Sequence, residues 1–319
     1  MKARDRYSAS SVAWDKRAGV RNNPEAYDLR LPTDGDTAGT ERSWHLPTYA
    51  GILGHPALGG LTDSQREYVK GTQLLEFVSK QTRFEVDYVN LVASRLAHGK
   101  YNFEMPEQLK LDALKIYTDE AYHAYYTQKI ANQIRAHFKV GQCDIDDHVG
   151  DFYTKTESTF ASVAVEHRPL AILAFVITGE NQIVSDISEQ MKGIVFEPIR
   201  AMFRDHMRDE VFHAQFFSKV FEQCWPQLTP HEKEVMGLGF GSALEILAAP
   251  RTSIYYFSLG SLGYSQREIA SFIKDTYETE EWRTTRVVDR MRPTLDMLQE
   301  HGVFKLPAVS KEFKRKQYI

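Results

Sequence analysis

The chain of 319 residues carries 39 Lys+Arg against 43 Asp+Glu, a net charge of −4, with 42% hydrophobic and 12% aromatic residues. That is an ordinary globular composition, long enough for one large helical domain or two smaller ones. It excludes a global positive field for collecting nucleic acid, and the two cysteines, Cys143 and Cys224, lie in no CxxC pair and exclude a disulfide framework.

The charged N-terminus MKARDRYSAS is followed by no apolar segment, and the longest apolar run, Leu170 to Ile177, reaches only eight residues. These features predict a cytoplasmic protein without an export signal or a membrane span. From Met1 to about Gly60 the chain is rich in Pro, Gly, Asp and Thr, which predicts an irregular N-terminal arm over residues 1–60. Trp14, Tyr27, Trp44 and Tyr49 predict that this arm packs on the core.

A single helical domain is expected over 61–319, with its core bundle at about 62–225 and extra helices at about 229–300. The first helix opens at Thr62 or Asp63, with Gln65 or Glu67 completing its first turn, and runs to about Ala97. A second spans about Pro106 to Phe138, and a shorter one roughly Ile145 to Val165. Two more cover about Pro169 to Phe196 and Pro198 to Phe221, with Trp225-Pro226 as punctuation. Further helices follow, broken near Pro250 and between Gly260 and Gly263. No β-alternation persists, so the fold class is all-α.

Each main helix has an apolar stripe at helical spacing, and the interruptions carry the information. The first stripe, Leu74, Val78, Gln81, Glu85, Tyr88, Val92, holds Glu85. The second, Leu109, Ala113, Ile116, Glu120, His123, Thr127, Ile130, Ile134, holds Glu120 and His123. The third, Leu173, Val176, Glu180, Ile183, Ile187, Met191, Ile194, holds Glu180, and the fourth, Ile199, Phe203, His206, Glu210, His213, Phe217, Val220, holds His206, Glu210 and His213. A buried carboxylate without a partner costs several kcal/mol, so four together call for neutralisation by something outside the chain. Two divalent cations supply the opposing charge.

Spacing supports this reading. Glu and His three apart share a helical face, and the pattern DExxH occurs twice, at Asp119-Glu120-x-x-His123 and Asp209-Glu210-x-x-His213. Each copy follows a lone inward glutamate, by 35 and 30 residues respectively. Among eleven histidines about one ExxH arises by chance, whereas two copies inside apolar stripes do not. A Glu from each of two helices and an ExxH from each of the others is how ferritin-like four-helix bundles hold two metals. Asp119 and Asp209 are expected as outer acceptors for the histidines, each serving the histidine of the opposite motif; the alternative places them beside the stripe facing solvent. His206, four residues before Glu210, adds a nitrogen beyond the six-ligand set and predicts an asymmetric site.

Together Glu85, Glu120-x-x-His123, Glu180 and His206-x-x-x-Glu210-x-x-His213 resemble the seven ligands of the p-aminobenzoate N-oxygenase family of non-haem di-iron enzymes. The motif similarity covers about residues 62 to 220, and its third histidine sets it apart from ferritins, ribonucleotide reductase small subunits and acyl-carrier-protein desaturases. The resemblance implies two Fe ions, with Mn an alternative at one or both positions, and O2 as co-substrate. It implies catalysis through those seven residues by way of the metals, and oxidation of a small-molecule aryl or alkyl amine to hydroxylamine, nitroso or nitro product, in secondary-metabolite biosynthesis. An external electron donor and a homodimer are expected partners, and neither nucleic acid nor membrane is. The alternatives are a di-iron hydroxylase or desaturase acting on carbon, and a non-catalytic ferritin-like iron-binding protein.

A substrate pocket is expected one turn from the ligands, at Phe77, Gln81, Val176, Gly179, Ile183, Phe203 and Met207. Gly179 either opens space beside Glu180 or permits close helix packing. Arg283 and Arg286 are candidates for a substrate anion, with surface ion pairing the alternative. Tyr122, Tyr125 and Tyr126 around His123 read as packing rather than as a radical site.

Overall fold

The computed structural model describes residues 11–22, 27, 44, 51–193, 196–282 and 290–319; Tyr49, Ile194, Arg283 and Arg286 lie outside them. Every regular element among the described residues is helical, in keeping with an all-α ferritin-like bundle.

Helix α1 (Asp63–Phe84) begins at Thr62, whose hydroxyl accepts from the Gln65 amide while Gln65 reaches back to the Thr62 amide. A π turn (Glu85–Val89) carries it without a break into α2 (Asn90–Ala97), which ends where Gly99 takes a φ of +59° that a side chain would resist. The chain returns as α3 (Glu107–Phe138), stopped by left-handed Lys139. α4 (Gln142–Ala161) is the crossover, packed against α1 and α5 (Arg168–Met191) as it carries the chain to the second helix pair. α6 (Glu197–Cys224) completes the bundle, lying against both α3 and α5.

The later helices sheathe this core. α7 (Pro230–Ala248) covers the outer side of α5, and α8 (Ser253–Gly260) packs on α1. Next come α9 (Gln266–Tyr277), α10 (Arg292–Glu300) and α11 (Pro307–Arg315), the last of them packed on α7 beyond the expected helical limit near Glu300. The sheath accounts for the composition of α5. The stretch Val165–Met191 is long and apolar enough to cross a membrane, yet 78% of its apolar window is buried inside the protein, between α6 and α7.

The arm is less irregular than its composition suggests. Residues 11–17 and Gly19–Asn22 are helical and lie on α3 and α6. Tyr27 and Trp44 are buried, Trp44 against Phe138 and Phe196, with ring centroids 5.1 and 4.5 Å away.

Candidate metal centre

At mid-height α1 and α3 are tied by a hydrogen bond between the Thr82 and Thr127 hydroxyls, 2.8 Å. Just beyond it the π turn starts at Glu85, and the Asn90 amide bonds to the Glu85 carbonyl five residues back. A π turn widens the helix locally and re-aims the side chains on it. It presents Glu85 to the bundle axis. Glu120 and His123 from α3, Glu180 from α5, and His206, Glu210 and His213 from α6 meet it there, all at most 1% exposed.

Six of these side chains form two overlapping groups, Glu85–His123–His206–Glu210 and Glu120–His123–Glu210–His213, in each of which one ligand atom per residue lies within 4.8 Å of the others; Glu180 belongs to neither group. Glu210 joins them. Its Oε1 lies 2.7 Å from His206 Nε2 and 3.3 Å from His123 Nδ1, while its Oε2 lies 3.4 Å from His213 Nδ1. Glu120 spans the same gap, with Oε1 2.7 Å from His213 Nδ1 and Oε2 3.5 Å from His123 Nδ1. Glu85 stands at the His206 end, 3.1 Å from its Nε2, and Glu180 at the His213 end, 3.7 Å from its Nδ1. The arrangement is two terminal carboxylates and two carboxylates facing both halves, with His206 at one end, His213 at the other and His123 common to both groups.

The atoms that point inward are starved of partners. Glu85 Oε2, both Glu120 oxygens, Glu180 Oε2, Glu210 Oε2, His123 Nδ1 and His213 Nδ1 are buried without a hydrogen bond. Buried polar atoms are normally satisfied, so a cage of them facing one another fits a cationic occupant that the side chains alone do not provide. Carboxylate oxygen mixed with imidazole nitrogen is the donor set that iron and manganese accept.

Electrostatics point the same way. Burial, reinforced by Glu210 and Glu120, pushes the Glu180 carboxyl well above the usual carboxylate range. Burial likewise raises Glu85, against the pull of His206. At Glu210 burial is overcome by His213, His123 and His206, which hold the carboxyl well below that range. The imidazoles thus pull on the Glu210 carboxyl in the same direction as a metal charge would.

Behind the cage, each aspartate faces the histidine of the other motif. His123 Nε2 lies 3.2 Å from Asp209 Oδ2, and His213 Nε2 lies 3.3 Å from Asp119 Oδ2. Both aspartates are buried, not turned to solvent. The pattern fixes each imidazole with Nδ1 inward. His206 has the opposite pose, with Nε2 inward and Nδ1 buried without a partner. Gln81, four residues before Glu85 on the same stripe, donates to Glu85 Oε1 at 2.9 Å, and two further contacts carry no local sequence signal: Trp14 Nε1 donates to Asp119 Oδ2 at 2.6 Å, and the Gly19 amide donates to Asp209 Oδ2 at 3.1 Å.

Gly179 serves close packing. A Cβ there would stand 2.3 Å from Phe84 Cζ, so the Phe84 ring fills the space beside Glu180. A cavity of about 20 Å³ remains, lined by Lys80, Gln81, Phe84, Gly179, Gln182 and Ile183, enough for a water. Phe77, Val176 and Phe203 are fully packed, with Phe77 and Phe203 in edge-to-face contact at 5.8 Å. Tyr122 and Tyr126 pack edge-to-face at 5.3 Å, and Tyr125 is exposed. A larger groove of about 370 Å³, bordered by Phe160, His167, Phe175 and His231, includes none of the caged carboxylates.

A ferritin-like bundle whose paired glutamates and ExxH histidines converge on its axis belongs to the dinuclear carboxylate–histidine class. Within it the chain is a member of the p-aminobenzoate N-oxygenase family: the family model described as P-aminobenzoate N-oxygenase AurF matches residues 11–302, from the helical arm to the end of α10. No curated protein sequence matches the chain.

Proposed function

We propose that the protein is an O2-dependent di-iron N-oxygenase acting on a small-molecule aryl or alkyl amine, in the cytoplasm and within secondary metabolism. The observation that carries the proposal is the cage itself: four buried glutamates and three buried histidines facing one another, in a chain of this family. Glu85, His123 and His206 would hold one ion and Glu180 and His213 the other, with Glu120 and Glu210 shared between them. Two iron ions held there would supply O2 reduction and oxygen transfer to nitrogen. The first oxidation balances as amine plus O2 plus two electrons and two protons giving hydroxylamine and water, the electrons coming from an external donor.

The chain's own part is to bind and orient. Asp119 and Asp209 hold two imidazoles in the tautomer that turns Nδ1 inward. Gln81 fixes the Glu85 carboxylate. Buried Phe77, Val176, Phe203 and Phe84 pack around the helices that carry the ligands and exclude water, which strengthens every charge interaction inside.

The test is a single-turnover reaction. Anaerobic protein loaded with Fe(II), mixed with O2 and a panel of aryl and alkyl amines, is expected to give products heavier by one or more oxygen atoms on nitrogen. Oxidation at carbon alone would transfer the protein to the hydroxylases and desaturases. Uptake of iron far beyond two ions per chain would make it a storage protein.

A further inference from the structure

The arm carries two donors that the cage's outer carboxylates depend on. Trp14 Nε1 and His213 Nε2 both address Asp119 Oδ2, at 2.6 and 3.3 Å. Five residues on, the Gly19 amide and His123 Nε2 both address Asp209 Oδ2, at 3.1 and 3.2 Å. An indole and a backbone amide, unrelated chemically, thus occupy equivalent places in the two halves. The arm is pinned on either side of them, by Ser11 Oγ on Asp112 at 2.8 Å and by Tyr27 OH on Asp205 at 2.8 Å.

We infer that Trp14 and Gly19 are positioning residues of the metal centre, acting through Asp119 on His213 and through Asp209 on His123. The inference rests on the dinuclear reading above. A donor on a carboxylate oxygen withdraws charge from it and weakens its pull on the imidazole N–H sharing that oxygen. The imidazole's donor strength toward a metal then depends on the arm. Gly19 is fitted to this: a Cβ at that position would meet Asp209 Oδ2 at 3.0 Å, and the carboxylate would have to give way by a few tenths of an ångström.

The test needs no turnover. Co(II) affinity is measured by chelator competition, and the visible ligand-field spectrum recorded, for the wild type, Trp14→Phe, Gly19→Ala, Asp119→Asn and the double variant Trp14→Phe/Asp119→Asn. Far-UV circular dichroism and metal-free melting temperature establish first that each variant folds. Trp14→Phe keeps an aromatic ring but removes the indole N–H together with part of the ring, and is expected to shift affinity for one Co(II) by up to about tenfold and to move its spectrum. Gly19→Ala is expected to perturb the other ion. In the Asp119→Asn background Trp14→Phe is expected to add nothing, because its route is gone. Wild-type affinity and spectrum in both folded single variants would overturn the inference, as would full additivity in the double variant. Should Trp14→Phe fail to fold, Gly19→Ala carries the decision alone. A wild-type protein that binds no Co(II) would instead remove the dinuclear reading, and this inference with it.

Discussion

Glu210 shows how one side chain can hold two halves of a site together, since its oxygens face different histidines and, among the described residues, it alone contacts all three imidazoles within 3.4 Å. Truncating a residue at one end is therefore less disruptive. His206→Ala is expected to lower the metal content from two ions per chain to about one, leaving the His213 half loaded, whereas Glu210→Ala empties both; elemental analysis of purified protein checks it. Protons compete for the same lone pairs. Burial alone would push the imidazoles down, but Asp209, Glu120 and Glu210 hold His123, and Glu210, Glu120 and Asp119 hold His213, well above the ordinary histidine value. His206 is raised by Glu85 and Glu210 against burial and His123. A raised value means that these imidazoles keep their protons to higher pH than a free histidine does, so an entering ion competes with protons for them. Metal affinity is expected to rise from about pH 6 to about pH 8, with protons released on binding, and an affinity flat across that range would refute the competition. The seven candidate ligands are legible in sequence because a charge in an apolar stripe is visible without knowing what lies opposite. Trp14 and Gly19 are not, because they meet their aspartates across 105 and 190 residues and no periodicity links them.

At the scale of an element, the helices are legible to within a turn where caps declare them, as Thr62 does for α1 and Pro198 for α6. The π turn is not. One extra residue per turn leaves the apolar stripe of the first helix almost unchanged while redirecting the residues on it, so Glu85 reads as an ordinary inward position. Glycine is ambiguous for a related reason, since sequence shows the missing side chain but not what fills its place. Two helical glycines separate the cases. At Gly150, on α4, a Cβ meets nothing within 4 Å, and Gly150→Ala is expected to stabilise the protein by about 0.5–1 kcal/mol through helix propensity. At Gly179 the same propensity gain is opposed by a Cβ 2.3 Å from the Phe84 ring. Overpacking of that kind costs about 1–3 kcal/mol and outweighs it, so Gly179→Ala is expected to destabilise, with a lower midpoint in urea. Equal midpoints for the two variants would mean that Phe84 moves aside freely.

At the scale of the whole molecule, the bundle's centre is occupied by groups that oppose folding unless they are neutralised. Apolar stripes bring α1, α3, α5 and α6 together, and the sheath of α7 and α8 shields them, yet the enclosed carboxylates resist desolvation. That tension is readable from the stripes alone; the helices of the sheath are readable too, since Met236, Phe240, Ala243, Leu244 and Leu247 of α7 recur at helical spacing, but which core helix each one covers is not. α11 lies past the expected limit near Glu300 although Pro307 opens it and its buried residues, Val309 and Phe313, stand one turn apart; at nine residues it offers only a short pattern. If metal ions relieve the tension, they bind the folded chain and not the unfolded one, and stability must track their concentration. At a free metal concentration about 100-fold above the dissociation constant, the linkage amounts to about 2.7 kcal/mol for each ion. Chelated protein is accordingly expected to melt several degrees below protein with Fe(II) held under argon, and adding metal back should restore the difference. The same comparison in His206→Ala should retain part of the stabilisation, since one half of the cage still closes, and in Glu210→Ala almost none. Identical melting of chelated and loaded wild type would mean that the cage carboxylates are neutralised within the chain, by the protonated imidazoles that face them.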